Sequence, residues 1–587
     1  MKKLLSIIAI FFSYAIFAQQ TQEEFFDYQR DWATYLPKGG ASGMFSNGNL
    51  IYTSYTNTQG VLFDELLPIP AGEEGNCILG SINAEGEFDW VIRYQLGGEY
   101  TSGGIASVDE QDYLYAHGKT RDSVNIGTLG THQPEFTNLF YNDTVYFDEQ
   151  PVVGTYPKYA EYIVKLDTLG NRLWGTYIYG EKNMAGSTSL QKQGDYLYYY
   201  GGTNSKTGIA TPGTYMPVAP PALPTEVTAT YGVGFIMKFD ANTGERLWGI
   251  YLPLIEEDFM TQPASSRTTI SVDATGSVYF KSLNDYVRLT PEGAYDSTLS
   301  NSDNLDYISN LYFDSVGNIF VLAVNKSGDS TNHGTSGTYK PSKTVDGELL
   351  LVKLSPSFEK IWATYLGFTP VGWEAGWSFS LTINENVNNE ILISNSVSAA
   401  DNTTTDAFQT VFGGGISDAA IMSFDMQTGQ RNWFSYYGDS EQDRAVGVIP
   451  TAEGGFYLTG TSEGGDNITS EESLYTSEDF GVWYGHIQIP FVAKFIPTKT
   501  GSVNELPKET FKVYPNPVIN KVFVESVSHW QNDVNFELFT LQGKHLAIDV
   551  QMEDARYALD MSQLPAGFYL LKVSTADGAA HYKLIKE

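Results

Sequence analysis

Leu351-Val352-Lys353-Leu354 and, after a short break, Ile361-Trp362-Ala363-Thr364-Tyr365-Leu366 make a pair of short strands: the first apolar with a lysine in third place, the second carrying tryptophan. The pair recurs along the chain. Ile163-Val164-Lys165-Leu166 precedes Leu173-Trp174-Gly175-Thr176-Tyr177, and Ile236-Met237-Lys238-Phe239 precedes Leu247-Trp248-Gly249-Ile250-Tyr251. Ile421-Met422-Ser423-Phe424 precedes Asn432-Trp433-Phe434-Ser435-Tyr436. Between the partners lie stretches such as Asp240-Ala241-Asn242-Thr243-Gly244, whose Asp and Gly suit a hairpin turn.

Working outward, each tryptophan strand is followed by a second hairpin, an apolar strand and an aromatic strand about a polar Gly or Asn turn. Residues 44–55, 105–117, 189–201, 270–280, 311–324, 381–394 and 448–460 fit this description. From Gly48 to Gly454 the repeat averages about 68 residues, more than ordinary propeller repeats span. Gly- and Pro-rich connections, 127–157 and 208–224 among them, account for the excess and read as surface loops.

The two ends of the repeat region complete each other. Trp32-Ala33-Thr34-Tyr35-Leu36 repeats 362–366 letter for letter but lacks the preceding lysine strand, and Phe491-Val492-Ala493-Lys494-Phe495 is such a strand with no tryptophan partner after it. Four strands per unit and seven units predict an all-β, seven-bladed β-propeller closed by an N-terminal strand, which leaves no open sheet edge. A β-sandwich array or a β-helix would use the same units. The string Thr404-Thr405-Asp406-Ala407-Phe408-Gln409-Thr410, Gly413-Gly414-Gly415, Asp418-Ala419-Ala420 resembles the bacterial SBBP-type β-propeller repeat family, a likeness spanning about residues 25–497. The fifth repeat departs from the pattern: it is short and carries Tyr295 where Trp is expected after Tyr286-Val287-Arg288-Leu289.

Past Lys499-Thr500-Gly501-Ser502 the pattern stops. Val513-Tyr514-Pro515-Asn516-Pro517, then 536–544 ending in Gly543-Lys544, then 564–573 with Gly567 and Tyr569, then Tyr582-Lys583-Leu584-Ile585-Lys586 follow in order. This module resembles the type A C-terminal sorting domain of the type IX secretion system. The resemblance implies an immunoglobulin-like β-sandwich that carries its cargo across the outer membrane with the type IX machinery as partner. Prolines 515 and 517 suit an edge entry, and the glycines suit turns. The expected division is a signal peptide at 1–18, a propeller at 19–500, a linker at 501–510 and the sorting domain at 511–587.

The first of these rests on Lys2 and Lys3, the apolar run 4–17 and Ala18 before Gln19-Gln20, the layout of a cleavable export signal. With no later segment of spanning length, the mature chain is expected to lack a transmembrane segment. Cys77 is the single cysteine, so no internal disulfide forms; between apolar neighbours it reads as a buried, inert thiol. A formal charge of −34 excludes nucleic acid as a partner, because phosphate binding draws on clustered Lys and Arg. The location expected is outside the cell, secreted or on the outer surface, reached through the periplasm.

The chain shows no convincing nucleophile elbow, zinc-protease helix motif, phosphate loop or calcium loop, so no catalytic residue, cofactor or metal is expected. Asp109, Asp273 and Asp314 lie in hairpin turns and read as turn residues. Topology supplies the ligand candidates. In a propeller the connections from each tryptophan strand to the next unit share one face, and here they carry Glu99, Tyr100, Glu181, Glu257, Asp258, Trp373, Glu374, Trp377, Asp439 and Asp443. Carboxylates beside aromatic rings suit sugars, the rings stacking on their apolar faces and the acids accepting hydroxyl hydrogen bonds. The expected function is a non-catalytic binder of a glycan or a surface protein. A carbohydrate-active enzyme using paired acids, and a structural surface protein without a small ligand, are the alternatives.

Overall fold

The computed structural model describes residues 26–586 apart from 57–75, 95–101, 221–231, 254–269, 370–379, 476–487, 500–510 and shorter breaks. All regular elements among the described residues are strands. The chain divides into two compact units, Phe26–Thr498 and one containing Lys499–Glu587.

The described residues of Phe26–Thr498 form seven sheets of antiparallel strands taken in chain order, alongside a separate hairpin of Phe140–Phe147 and Gln150–Pro157 inserted in the second. The first joins Gly40–Met44, Leu50–Thr56, Asn76–Ile82 and Phe88–Tyr94. The second joins Ser102–Val108, Leu114–Thr120, Ala160–Leu166 and Arg172–Ile178, and the third Met184–Gln193, Tyr196–Thr203, Val233–Asp240 and Arg246–Tyr251. The fourth is short: Ile270–Val272, Val278–Ser282, Asp285–Leu289 and Tyr295–Ser300. In the fifth, Leu305–Tyr307 and Tyr312–Phe313 both pair with Ile319–Asn325, followed by Leu350–Leu354 and Lys360–Tyr365. The sixth joins Ser380–Asn384, Glu390–Val397, Asp418–Asp425 and Arg431–Tyr437. The seventh takes Asp443–Pro450, Phe456–Ser462 and Ile489–Lys499 and adds Phe26–Tyr35 from the other end of the chain as its fourth strand.

The middle strands are mostly apolar because sheets cover both of their faces; Ala160–Leu166 is buried at every position, Glu161 and Lys165 included. The buried clusters join successive sheets. Ile51 and Leu79 meet Leu114 and Val164, Tyr115 and Ile163 meet Leu197 and Met237, and Tyr198 and Ile236 meet Phe280 and Val287. Tyr279 and Tyr286 meet Val321 and Val352, Leu322 and Leu351 meet Ile393 and Met422, and Leu392 and Ile421 meet Leu458 and Ala493. One more cluster packs Tyr457 and Val492 of the seventh sheet against Leu50 and Ile78 of the first.

The recurring lysine and tryptophan act together between sheets. Strand register sets them side by side, Lys165 opposite Trp174, Lys238 opposite Trp248 and Lys353 opposite Trp362, with a bulge immediately after each lysine. Their polar ends then reach the turn between the third and fourth strands of the next sheet, save that Trp362 Nε1 finds no hydrogen-bond partner among the described residues. Lys238 Nζ and Trp248 Nε1 donate to the same carbonyl, Pro291 O, at 3.0 and 2.8 Å, while Lys353 donates to Met426 O and Trp174 to Ala241 O. The indoles of Trp174, Trp248 and Trp362 lie against Gly244, Gly293 and Gly429, whose left-handed φ of 71°, 79° and 67° and missing β-carbon admit the ring. At the junction of the chain ends the same clasp is built from both: Lys494 and Trp32 donate to Ala84 O at 3.1 and 2.6 Å, and Trp32 lies against Gly86.

Phe26–Tyr35 is held on its other side as well. The buried Tyr28 hydroxyl donates to the Glu390 carboxylate of the sixth sheet, which also accepts from Asn432 at 2.9 Å. The Arg30 guanidinium lies 4.7 Å from the Phe408 ring.

One sequence expectation changes here. The degenerate repeat, fifth when tryptophan strands are counted from Trp32, is the fourth sheet, because Phe26–Tyr35 belongs to the seventh. Its tryptophan position is Ser297, which stands opposite Arg288, whereas Tyr295 pairs with Leu289 beyond the bulge. Counting from the apolar residue instead of the cation misses that bulge.

In the second unit, Phe511–Tyr514, Lys521–Ser526, Arg556–Asp560 and Asp549–Glu553 form one sheet, and His545–Leu546, Asn535–Thr540, Gly567–Thr575 and Gly578–Lys586 the other. Val522, Val524 and Leu559 of the first share a core with Leu538, Leu571, Val573 and Leu584 of the second, making a β-sandwich.

Candidate functional site

Of the ten ligand candidates, Glu99, Tyr100, Glu257, Asp258, Trp373, Glu374 and Trp377 lie outside the described residues. Glu181, Asp439 and Asp443 lie within them, and each is turned toward backbone. Glu181 precedes the first strand of the third sheet, and its carboxylate accepts the amides of Lys206 and Thr207, both at 2.7 Å. Partial burial opposes ionisation, but the Thr207 hydroxyl and these amides hold the Glu181 carboxyl below its ordinary range.

Asp439 and Asp443 form a buried group with Asp418, itself part of the quoted repeat string; Asp418 and Asp443 are both 0 % exposed. Asp418 accepts Gly413 N at 2.7 Å and Gln409 Nε2 at 3.2 Å, Asp443 accepts Asp439 N at 2.8 Å, and Asp439 accepts Glu441 N at 2.9 Å. A β-carbon on Gly438 would stand 2.6 Å from Asp418 Cγ and 2.7 Å from Asp443 Oδ2, so this glycine lets both carboxyls close over the loop. Burial pushes the Asp443 carboxyl up to about 7 and the Asp418 carboxyl up to about 6, against the pull of neighbouring hydroxyl and amide donors. The group holds residues 409–417 against 438–443. Among the described residues no set of His, Cys, Asp and Glu could hold a metal ion.

The described cavities lie elsewhere. One of about 620 Å³ is lined by Gln191, Lys192, Tyr200, Ser271, Asn310 and Tyr312, among others, where the first strands of the second to fifth sheets run into their hairpin turns. A second, of about 370 Å³, shares Ser107, Lys192 and Gln193 with it and continues to Met44 and Ser46 of the first sheet. Met184–Gln193 begins near Glu181 and ends at these cavities, a run of about 30 Å at ~3.3 Å per residue. Glu181 and the cavities therefore stand at opposite ends of the third sheet's first strand.

The lining mixes rings, amides and hydroxyls. Leu190 is buried in the core, while Gln191, Lys192 and Gln193 stay half-buried along the cavity. Burial raises the Tyr200 hydroxyl above its usual range, so it remains a hydrogen-bond donor. Lys192 donates to Gly194 O at 2.8 Å. Asp109 and Asp314 also border the cavities, but their carboxylates serve the turns. Asp109 accepts the amides of Gln111 and Tyr113 at 3.0 and 2.9 Å, and Asp314 those of Val316 and Asn318 at 3.1 and 2.7 Å. Asp273 does the same for Thr275 and Ser277. The signal that could have located the cavities was the run of polar residues Gln191-Lys192-Gln193 closing the strand after the buried Leu190.

Of the sorting residues, Gly543 and Lys544 lie outside the described residues, and so does the side chain of Cys77. Tyr514, Pro515, Asn516 and Pro517 lead from the first strand of the sandwich to its far edge. Asn516 Nδ2 donates to Lys583 O at 2.7 Å and its Oδ1 accepts Ile585 N at 2.8 Å, so one side chain mimics a neighbouring strand along Gly578–Lys586. Val518 continues this cover by donating to Ile585 O at 2.7 Å. Tyr569 is buried, and its hydroxyl donates to Pro565 O at 2.8 Å; Gly567 opens the same strand.

Residues 512–587 match the secretion system C-terminal sorting domain family. No curated protein matches the chain. Among solved structures, the WD40 domain of Neurospora crassa Pan2 is similar over 81 % of this chain and 96 % of that one, at 9 % identity and a TM-score of 0.35. A Dyadobacter fermentans protein of unknown function is similar over 80 % and 99 %, at 9 % identity and 0.33. Rhamnogalacturonan lyase YesW is similar over 76 % and 74 %, at 14 % identity and 0.30. The sorting domain marks the protein for export through type IX secretion, to be secreted or attached at the outer cell surface. Among the described residues no helix is long and apolar enough to cross a membrane.

Proposed function

We propose that this exported protein is a non-catalytic glycan-binding β-propeller, and that the cavity bordered by Tyr200, Asn310 and Tyr312 receives the sugar. The cavity carries the reading. Rings that stack on the apolar face of a sugar stand beside Gln191, Gln193, Asn310 and Ser271, which exchange hydrogen bonds with its hydroxyls. Its volume of about 620 Å³ falls in the usual range for small ligands. Asp314, the one acid among the described residues that line this cavity, is committed to turn amides, which speaks against the free pair of acids that glycoside hydrolysis requires.

In this reading the seven sheets are blades of a closed ring related to the SBBP-type repeat. The cluster that packs the seventh sheet on the first supports it, as does the clasp that Lys494 and Trp32 make from opposite ends of the chain. Residues 1–18 are the export signal, 19–500 the propeller, 501–510 a linker and 511–587 the address. The test is a glycan array with the purified exported protein, followed by Tyr312→Ala and Asn310→Ala. Binding to an oligosaccharide that each variant weakens about tenfold is expected, of the size that losing one stacking or hydrogen-bonding anchor brings. An array with no hit, or a hit indifferent to both variants, would reject the cavity.

A further inference from the structure

The sandwich of the sorting domain carries an apolar patch on the outside of its second sheet. Alternation along Gly567–Thr575 sends Tyr569, Leu571 and Val573 into the core, and it leaves Phe568 and Leu570 outward at 47 % and 37 % exposure. On Gly578–Lys586, Leu584 is buried and Ile585 is 38 % exposed. Register makes these outward residues neighbours: Phe568 stands opposite Ile585, and Leu570 stands between Lys583 on one side and Phe539 on the other. Outward positions of a sandwich are ordinarily polar, so a patch crossing three adjacent strands marks a surface that another molecule covers.

Two observations say how it is covered. Beside the patch, at Lys583 and Ile585, the edge of Gly578–Lys586 is already occupied by Asn516 and Val518, so a partner cannot add a strand at that point and must meet the face. The charge on that face is positive: Lys583 Nζ lies 4.5 Å from the Phe568 ring centroid and makes no ion pair among the described residues. The rest of the chain has the opposite character. Residues 511–587 hold seven Lys and Arg against nine Asp and Glu, so nearly all of the −34 charge lies outside the sorting domain and repels an acidic partner.

We propose that the face formed by Phe568, Leu570, Lys583 and Ile585 docks the sorting domain on a component of the export machinery that presents apolar side chains bordered by carboxylates. The acidic border gives orientation: that partner is attracted to this patch and repelled by the body. The proposal rests on the sorting domain and is independent of the glycan cavity.

The test is export of the full chain from its own cells, read as the extracellular fraction. F568D with L570D lowers it about tenfold or more, as loss of a central apolar anchor does, while a protease-resistant sorting domain accumulates inside. M552D, at a more exposed position on the other sheet, leaves export unchanged, and K583E lowers it about threefold through the charge alone. Normal export of the double variant overturns the docking face, and so does an equal loss with M552D. Normal export of K583E overturns the acidic partner. If the double variant loses its protease-resistant domain, F568S with I585T is read by the same criteria. Removal of residues 511–587 separates the premises: a truncated chain that is still exported refutes the sorting role itself, whereas retention of the truncated chain with export of the double variant refutes only this face.

Discussion

The joint between the third and fourth sheets and the joint between the fourth and fifth solve one packing problem with opposite parts. At the first, Trp248 and Lys238 reach across to Pro291 O, and the indole lies on Gly293. At the second, the fourth sheet has Ser297 and Arg288 at those positions, and neither crosses. Arg288 stays in its own sheet, 3.3 Å from Ser277 Oγ and 3.8 Å from Asp273. The missing ring comes from the other side instead. The turn of the fifth sheet has Phe358 where the clasped turns have glycine, at φ 64°, and this buried ring packs 5.6 Å from Tyr286 and 6.5 Å from Tyr279. At this joint serine holds the tryptophan position and phenylalanine the glycine position. What is preserved is the filled volume between sheets and not the residue type at either position.

The exchange can be broken from either end. The largest effect is expected for Trp248→Ala, which removes a buried indole together with its hydrogen bond and costs about 3–5 kcal/mol. The midpoint of guanidinium unfolding measures it, and a loss below about 1 kcal/mol would mean the joint does not depend on the clasp. Phe358→Gly comes next, at about 2–4 kcal/mol. The ring is lost, but glycine relieves the left-handed backbone, which offsets about 1 kcal/mol. Adding Ser297→Trp to Phe358→Gly sharpens the comparison: if the two joints are interchangeable, the double variant recovers at least about 1 kcal/mol relative to Phe358→Gly alone. The smallest effect is expected for Lys238→Met, about 1 kcal/mol. It removes a charge-assisted hydrogen bond while keeping the aliphatic stem, and it spares the cost of burying a cation at 3 % exposure.

Much of the architecture was legible in the spacing of Lys and Trp. A strand with its lysine, a turn and a strand with its tryptophan recur often enough to show repeated four-stranded units, and the orphan halves at 32–36 and 491–495 pointed to a shared sheet. The candidate site was less legible. Residues were chosen for the connections they occupy, and Asp439 and Asp443 lie in such a connection, yet they are buried under the loops they hold. Solvent exposure of a loop carboxylate depends on whether nearby amides face it, which no count along the chain reports.

The sequence by itself determined an all-strand protein with repeated units and a type IX address, because strand faces and turns follow from residues close together in the chain. Only the tertiary structure decided what the repeated residues do. Lys238 and Trp248 are conspicuous within one sheet but act on a carbonyl of the next, Phe358 packs on Tyr279 and Tyr286 of the preceding sheet, and Asn516 covers a strand far along the chain. These are contacts between elements distant in sequence, settled by how sheets fill the space between them. The glycan cavity proposed here, lined by the first strands of four sheets, belongs to the same class of feature.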